Sequence, residues 1–438
     1  INFLRTRFQL SPLMEGWLMS SALTGCVAGA AIAGYLADRY GRKPILLVSA
    51  LLFIISAAGC AVANTPSFLV VARIVGGVGV GFAAMVAPMF ISELAPAHLR
   101  GRLVSLYQLA ITLGILCSYL SNVWLLSYAA GHKMAGGSGL LHGYLVTEVW
   151  RGMLGSNMVP ALLFFLLLFF VPESPRWLLS KGKRKAAEKI LTRINGPQAA
   201  SAELTAIDDS FQTTDDGSLR QLLRPAMRVA LIIGLVLPFL SQLSGITTVM
   251  YYAPAIFEKA GLASGSAFGS AAVIGFFNMV FTFVAIWKVD KWGRKPLLIV
   301  GFSALAVALL LIGWTFNLGS ENARMLLPAF VFYIAFFAAT LGPGVWVVLA
   351  EIYPTKIRGR AMSLGTLSLF LGSTFVTQTY PMLRESIGIG NVFLIYGLIM
   401  LPAAYFVKRL VPETKGKSLE EIEQYWEEKE TGVAIRSN

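Results

Sequence analysis

The chain is made of apolar runs of about 20 residues, separated by short polar loops, and a run of that length crosses the hydrocarbon core of a bilayer as an α-helix. In lipid every backbone N–H and C=O has to be satisfied within its own segment, so these runs read as transmembrane helices. Spans are expected near 13–36, 44–63, 67–91, 103–126, 152–171, 228–256, 267–287, 297–316, 327–349, 361–382 and 390–410. Of the 438 residues, 56% are hydrophobic and 13% are charged. A soluble domain carries about 25% charged residues, so a chain of this composition could not cover its surface in water.

A net charge of +13 raises the question of nucleic acid, and the placement of the charge answers it. Lys and Arg gather in alternate short loops: Arg39, Arg42 and Lys43; Arg100 and Arg102; Lys288, Lys291, Arg294 and Lys295; Lys356, Arg358 and Arg360. The intervening loops carry few. This alternation marks the cytoplasmic side of a membrane protein, so the partner is the lipid bilayer and no nucleic acid is expected. Cys26, Cys60 and Cys117 each lie inside an expected span, and His98, His132 and His142 form no ligand pattern. No metal, no cofactor and no nucleophile–base pair is indicated, and an enzyme is not expected.

The heptapeptide DRYGRKP at 38–44 returns as DKWGRKP at 290–296. ELAPAHLRGR (93–102) returns as EIYPTKIRGR (351–360), and VPESPRW (171–177) is echoed by VPETKGK (411–417). Both copies of each motif fall on the cytoplasmic side, so the halves are parallel repeats, an architecture of transporters with a substrate site near the midplane. The expected division is an N-terminal half at 1–171, a cytoplasmic linker with short helices at 172–225, a C-terminal half at 226–410 and a cytoplasmic tail at 411–438. In the linker, Trp177, Leu178, Ala187, Ile190 and Leu191 form one apolar helical face. In the tail, Ser418 and Glu421 have capping-box spacing. Two spans precede DKWGRKP and one precedes DRYGRKP. Eleven spans are therefore expected where the duplication calls for twelve, and the chain reads as lacking the first.

Gly41 and Gly293 permit a tight reversal, and Pro44 and Pro296 suit a first helical turn. That accounts for Gly, Pro and positive charge. It does not account for Asp38 and Asp290 in one register, nor for Glu93 and Glu351 at cytoplasmic span ends, each followed by Arg at the same interval. Carboxylates and guanidiniums so placed can form bidentate contacts; if these link the two halves, they hold the cytoplasmic face closed in one of two states and break in the other.

DRYGRKP, RIVGGVGVG, PESPRWL, VDKWGRKP, EIYPTKIRGR and VPETKG together resemble the sugar porter family of the major facilitator superfamily, over essentially the whole chain. The resemblance implies an all-α integral membrane fold of two six-helix halves. It implies transport of a monosaccharide or related polyol by alternating access, either proton-coupled or facilitative, with a non-transporting sugar sensor of the same fold as the alternative. It further implies a cytoplasmic gate of Arg42, Glu93, Arg100, Arg294, Glu351 and Arg358, supported by Glu173 and Glu413. The localisation implied is the plasma membrane, in particular a bacterial cytoplasmic membrane, with multiple passes.

A sugar needs amides for its hydroxyls and an aromatic face for its ring. The spans offer Gln108, Gln242, Asn278 and Gln378, with Trp346 beside a Gly-Pro-Gly break. The resemblance puts Gln108, Gln242, Asn278 and Trp346 at sugar-contacting positions, Ile111 and Ile115 at apolar contacts and Tyr251 at an outer gate. The family often has two glutamines where Ser241-Gln242 stands, an Asn at Thr247 and an amide at Leu369. Thr247 remains able to bond a hydroxyl at shorter reach. Arg73 matches an Arg that pairs with an acidic residue of the first span in proton symporters; alone, it reads equally as an anchor reaching outward. Glu15, near the outer end of its span, reads as interfacial.

Overall fold

The computed structural model describes the chain apart from residues 96–99, 133–138, 140–141, 198–199, 202–203, 206–222, 224, 319–322, 354–356, 416–420, 423–424 and 427–438. Among the described residues there is no strand. The helices are α1 (Asn2–Phe8), α2 (Pro12–Tyr40), α3 (Arg42–Val62), α4 (Pro66–Leu94), α5 (Arg100–His132), α6 (Val149–Gly155), α7 (Met158–Leu168), α8 (Pro175–Ser180), α9 (Arg184–Asn195), α10 (Pro225–Leu243), α11 (Ile246–Lys259), α12 (Ser264–Trp292), α13 (Arg294–Asn317), α14 (Ala323–Phe336), α15 (Gly342–Glu351), α16 (Arg358–Ile387) and α17 (Ile389–Leu410).

Among the described residues, ten helical segments are long and apolar enough to cross a membrane. The expected span over 361–382 is helix α16, which is not among the ten. Its length is ample, at 30 residues. Its sequence is the most polar of the expected spans because Thr366, Ser368, Ser373 and Thr377 are all buried in protein. Hydropathy records those side chains as if they met lipid. The span expected over 228–256 is broken into α10 and α11 at Ser244-Gly245, where Gly245 takes the left-handed φ of 79°.

Two compact units emerge. One comprises Ile1–Ser20, Ile111–Trp150 and Gly217–Asn438; the other comprises Ser21–Ala110 and Arg151–Asp216. In the first, α13 packs along α17 and α10 along α16. Its core is aromatic, with Tyr252, Phe257, Phe302, Phe330, Tyr333 and Phe393 fully buried. In the second, α3 packs along α4 over a core of Ala33, Ala37, Leu46, Ala50, Phe82 and Val86. The glycines of RIVGGVGVG let α4 approach α2 backbone to backbone, since a methyl at Gly77 would overlap the Ala22 carbonyl. The linker helices pair through their apolar faces: Leu178, Ala187 and Leu191 are buried, with Trp177 and Ile190 packed against them.

Candidate functional site

Both copies of the Gly-Arg-Lys turn assemble the same ionic clamp, each inside one unit. Arg42 opens α3 and is 8% exposed. Its Nε and Nη2 donate to the two oxygens of Glu93, both at 3.0 Å. Its Nη1 donates to the Ala37 carbonyl at 3.0 Å and lies 3.0 Å from Asp38. Glu173 does something different. It accepts from the backbone N–H groups of Arg42 and Lys43 at 3.1 and 3.2 Å, and so caps the N-terminus of α3, where a carboxylate is favoured by the helix dipole. Ser174 donates to Glu93 at 2.5 Å. Gly41 has a φ of 108°, and an added methyl there would overlap the Glu173 carboxylate.

The second copy repeats this arrangement. Arg294 Nη2 and Nε donate to Glu351 at 2.9 and 3.1 Å. Glu413 accepts from the N–H groups of Arg294 and Lys295 at 3.0 and 3.1 Å, and Thr414 donates to Glu351 at 2.5 Å. Gly293 has a φ of 85° and sits against Glu413. Ser174 and Thr414 were not picked out from the sequence. The signal was there: each hydroxyl residue follows the Glu in both copies of the Pro-Glu motif. The side chains of Arg100, Asp290 and Arg358 lie outside the described residues, as does Ser418 of the tail. The tail docks through Trp426, fully buried, whose indole donates to the Ile352 carbonyl at 3.0 Å.

Burial acts to raise the Glu413 pKa, but backbone N–H bonds from Lys415, Arg294, Lys295 and Thr414 outweigh it and hold the carboxyl below its ordinary value of 4.5. A depressed carboxylate stabilises the fold above its unfolded pKa, and that contribution is lost as pH falls through the folded pKa. Stability is therefore expected to be insensitive to this group from neutral pH down to about 5 and to fall on further acidification. Glu413→Gln should flatten that acid limb in thermal unfolding of the detergent-solubilised protein.

The amides divide between two kinds of environment. Gln242, 7% exposed at the end of α10, accepts at Oε1 from Thr247 across the helix break and from Ser373 of α16, both at 2.9 Å. The Ser241 hydroxyl already donates to the Pro238 carbonyl at 2.7 Å, so it faces the Gln242 amide nitrogen, 3.4 Å away, as an acceptor. Asn278 is also 7% exposed, Trp346 is half-buried and Tyr251 is exposed at 37%. These residues share one unit with Ile111, exposed, and Ile115, half-buried; Gln108, half-buried, belongs to the other unit. Gln378 is a helix–helix tether: it donates to the Leu13 carbonyl at 3.2 Å and accepts from Ser20 at 2.8 Å. Arg73 lines a cavity of about 460 Å³ with Ser56, Cys60, Gly77, Asn157 and Phe164.

Glu15 overturns its sequence reading. It is 1% exposed, and both its oxygens are held by Arg384 at 3.1 and 3.2 Å. Nothing in the sequence spacing pairs residues so far apart.

Helices without strands among the described residues, ten segments able to cross a membrane, a duplicated ionic clamp and a helix break beside a buried amide fit a secondary transporter of the major facilitator type. The family model described as "Sugar (and other) transporter" matches residues 6–426. The chain is 40% identical over 426 residues to the arabinose-proton symporter of Bacillus subtilis, covering 97% of this chain and 89% of that protein. It is 39% identical over 439 residues to the D-xylose-proton symporter of Escherichia coli K12, covering 94% and 86% respectively. The solved structure of the E. coli xylose transporter in a partially occluded inward-open conformation superposes with a TM-score of 0.82 at 36% identity, covering 95% of this chain and 93% of that one. The protein belongs to the sugar transporter family and is a multi-pass membrane protein. Its relatives are transporters, which sets the sensor alternative aside.

Proposed function

We propose that this protein carries a monosaccharide across a bacterial cytoplasmic membrane by alternating access, coupled to protons. The observation that carries the reading is the break at Ser244-Gly245, which presents Gln242 and Thr247 side by side inside a span. Broken helices of this kind surround substrate in transporters. Gln108, Gln242, Thr247 and Asn278 supply polar contacts to the sugar, Trp346 stacks on its ring, Ile111 and Ile115 line its apolar faces and Tyr251 closes over it. Arg73 is the cation whose pairing with a carboxylate would answer to proton binding. The clamps built on Arg42 and Arg294, with Asp38, Glu93, Glu173, Glu351 and Glu413, stabilise the cytoplasmic ends of the two halves. The halves at 1–171 and 226–410, joined by 172–225, move around the site.

The printed activities of the two relatives, arabinose- and xylose-proton symport, favour a pentose. Counterflow of labelled arabinose and xylose in proteoliposomes, with unlabelled pentoses, hexoses and inositols as competitors, tests this. A pentose is expected to compete best, and an imposed inward proton gradient is expected to drive accumulation. Exchange blocked by no sugar in the panel would overturn the substrate assignment, and exchange indifferent to the gradient would overturn the coupling.

A further inference from the structure

The charge alternation puts residues 38–44 and 358–360 on the cytoplasmic side, so the start of α2 and the end of α16 both lie at the outer side. There α2 and α16 are joined at three levels. Arg384, itself 9% exposed, grips Glu15 with two hydrogen bonds, and Arg5 stands 3.9 Å from the same carboxylate. The Arg384 guanidinium also lies 5.8 Å from the centre of the Tyr380 ring. Around it, Gln378 bonds both the Leu13 carbonyl and Ser20. Between these, Gly16 meets the Gln378 backbone so closely that an added methyl would overlap its carbonyl. All these contacts lie in one unit, yet α2 is one unbroken helix whose residues from Ser21 onward belong to the other.

We propose that the Glu15–Arg384 pair is an outer latch: a pair of gating residues that holds the outer side of the transporter closed and parts when that side opens. The inference rests on alternating access, not on the identity of the sugar. A buried ion pair adds little net stability, because its attraction is set against the desolvation of both charges. When the helix ends separate, both charges regain water, so the paired and parted states differ by a modest free energy. A switch needs that near-balance. Removing one partner destroys it. Without Glu15, Arg384 is stranded in a dry contact; without Arg384, Glu15 keeps only the more distant and more exposed Arg5, so either neutral substitution favours the open outer side. The Gln378 tether and the Gly16 contact explain why the carboxylate can be so fully enclosed: both are made by residue 378, and they bring the two backbones together beside the pair.

The test uses a reporter thiol at the same contact. Ser20 is fully buried against Gln378, and Ser20→Cys is nearly isosteric. In a background with Cys26, Cys60 and Cys117 replaced by Ser, the probe is a membrane-impermeant maleimide applied from outside to right-side-out proteoliposomes. Glu15→Gln and Arg384→Gln are each expected to raise the labelling rate about tenfold or more, a bias of the outer equilibrium of at least that factor. The double variant should label no faster than the faster single, since both remove one contact. Glu15→Asp and Arg384→Lys, which keep charge but lose the two-point geometry, should label at intermediate rates and serve if the neutral variants do not insert. Parental labelling rates in the inserted single variants, or effects of the two that simply multiply, would overturn the latch. Labelling needs no sugar, so this result stands apart from the outcome of the competition assay.

Discussion

Arg42→Ala is expected to destabilise the protein by about 3–5 kcal/mol, the cost of stranding a buried carboxylate when its cation is removed. The stranded group is Glu93, whose side chain is 9% exposed and whose other described donor is the Ser174 hydroxyl. The Ala37 carbonyl at the end of α2 loses its guanidinium partner as well. Arg294→Ala removes the matching cation from the second clamp, but Glu351 is 26% exposed and can recover water. Its cost should be clearly smaller. Arg42→Lys should rescue only part of the loss, because an ammonium cannot span both Glu93 oxygens as the planar fork does. Thermal unfolding of the three variants in detergent ranks them. An Arg294→Ala variant that unfolds at the same temperature as Arg42→Ala, or lower, would show that burial of the carboxylate does not set the scale.

Gln242→Ala is expected to weaken apparent sugar affinity by about ten- to a hundredfold, as a lost donor and unpaired partners together cost roughly 1–3 kcal/mol. The amide oxygen is already occupied by Thr247 and Ser373, which leaves the NH2 group, with only the Ser241 hydroxyl at 3.4 Å, as the end of Gln242 open to the proposed sugar. Ser373→Ala leaves that donor in place and only loosens its aim, so a change of a few-fold is expected. The concentration dependence of counterflow separates the two. Equal effects, or none, would make Gln242 a packing residue of the α10–α16 contact.

Much of this architecture was legible because lipid simplifies the problem. Span length, loop charge and the paired motifs constrain a membrane chain more tightly than periodicity constrains a soluble one. The clamps were legible for a second reason: duplication wrote each of them twice, so Glu93 with Arg42 and Glu351 with Arg294 stood out against a single structural explanation for the turn. What could not be read was anything made by long-range packing. Glu15 looked interfacial because hydropathy knows nothing of Arg384 on a distant helix. Gln378 stood among the span amides with no role assigned, because its tether to Leu13 and Ser20 is set by the crossing of α2 and α16. The polar face of α16 diluted its hydropathy for the same reason: Thr366, Ser373 and Thr377 face protein, and a linear scale cannot say so.

Helix α2 carries a mechanical consequence. It is 29 residues long, its outer end is held by Arg384 and Gln378, and its inner end finishes at the Asp38–Arg42 contact. From Ser21 to Tyr40 a regular helix is about 30 Å long, so a tilt of roughly 10° about the outer anchor sweeps its inner end through about 5 Å. That sweep is larger than the reach of any hydrogen bond in the Arg42 clamp. A stiff rod pinned near one end is a lever: if the outer pair parts as proposed, α2 would carry the displacement to its inner end at Asp38 without any intervening chain of side-chain contacts.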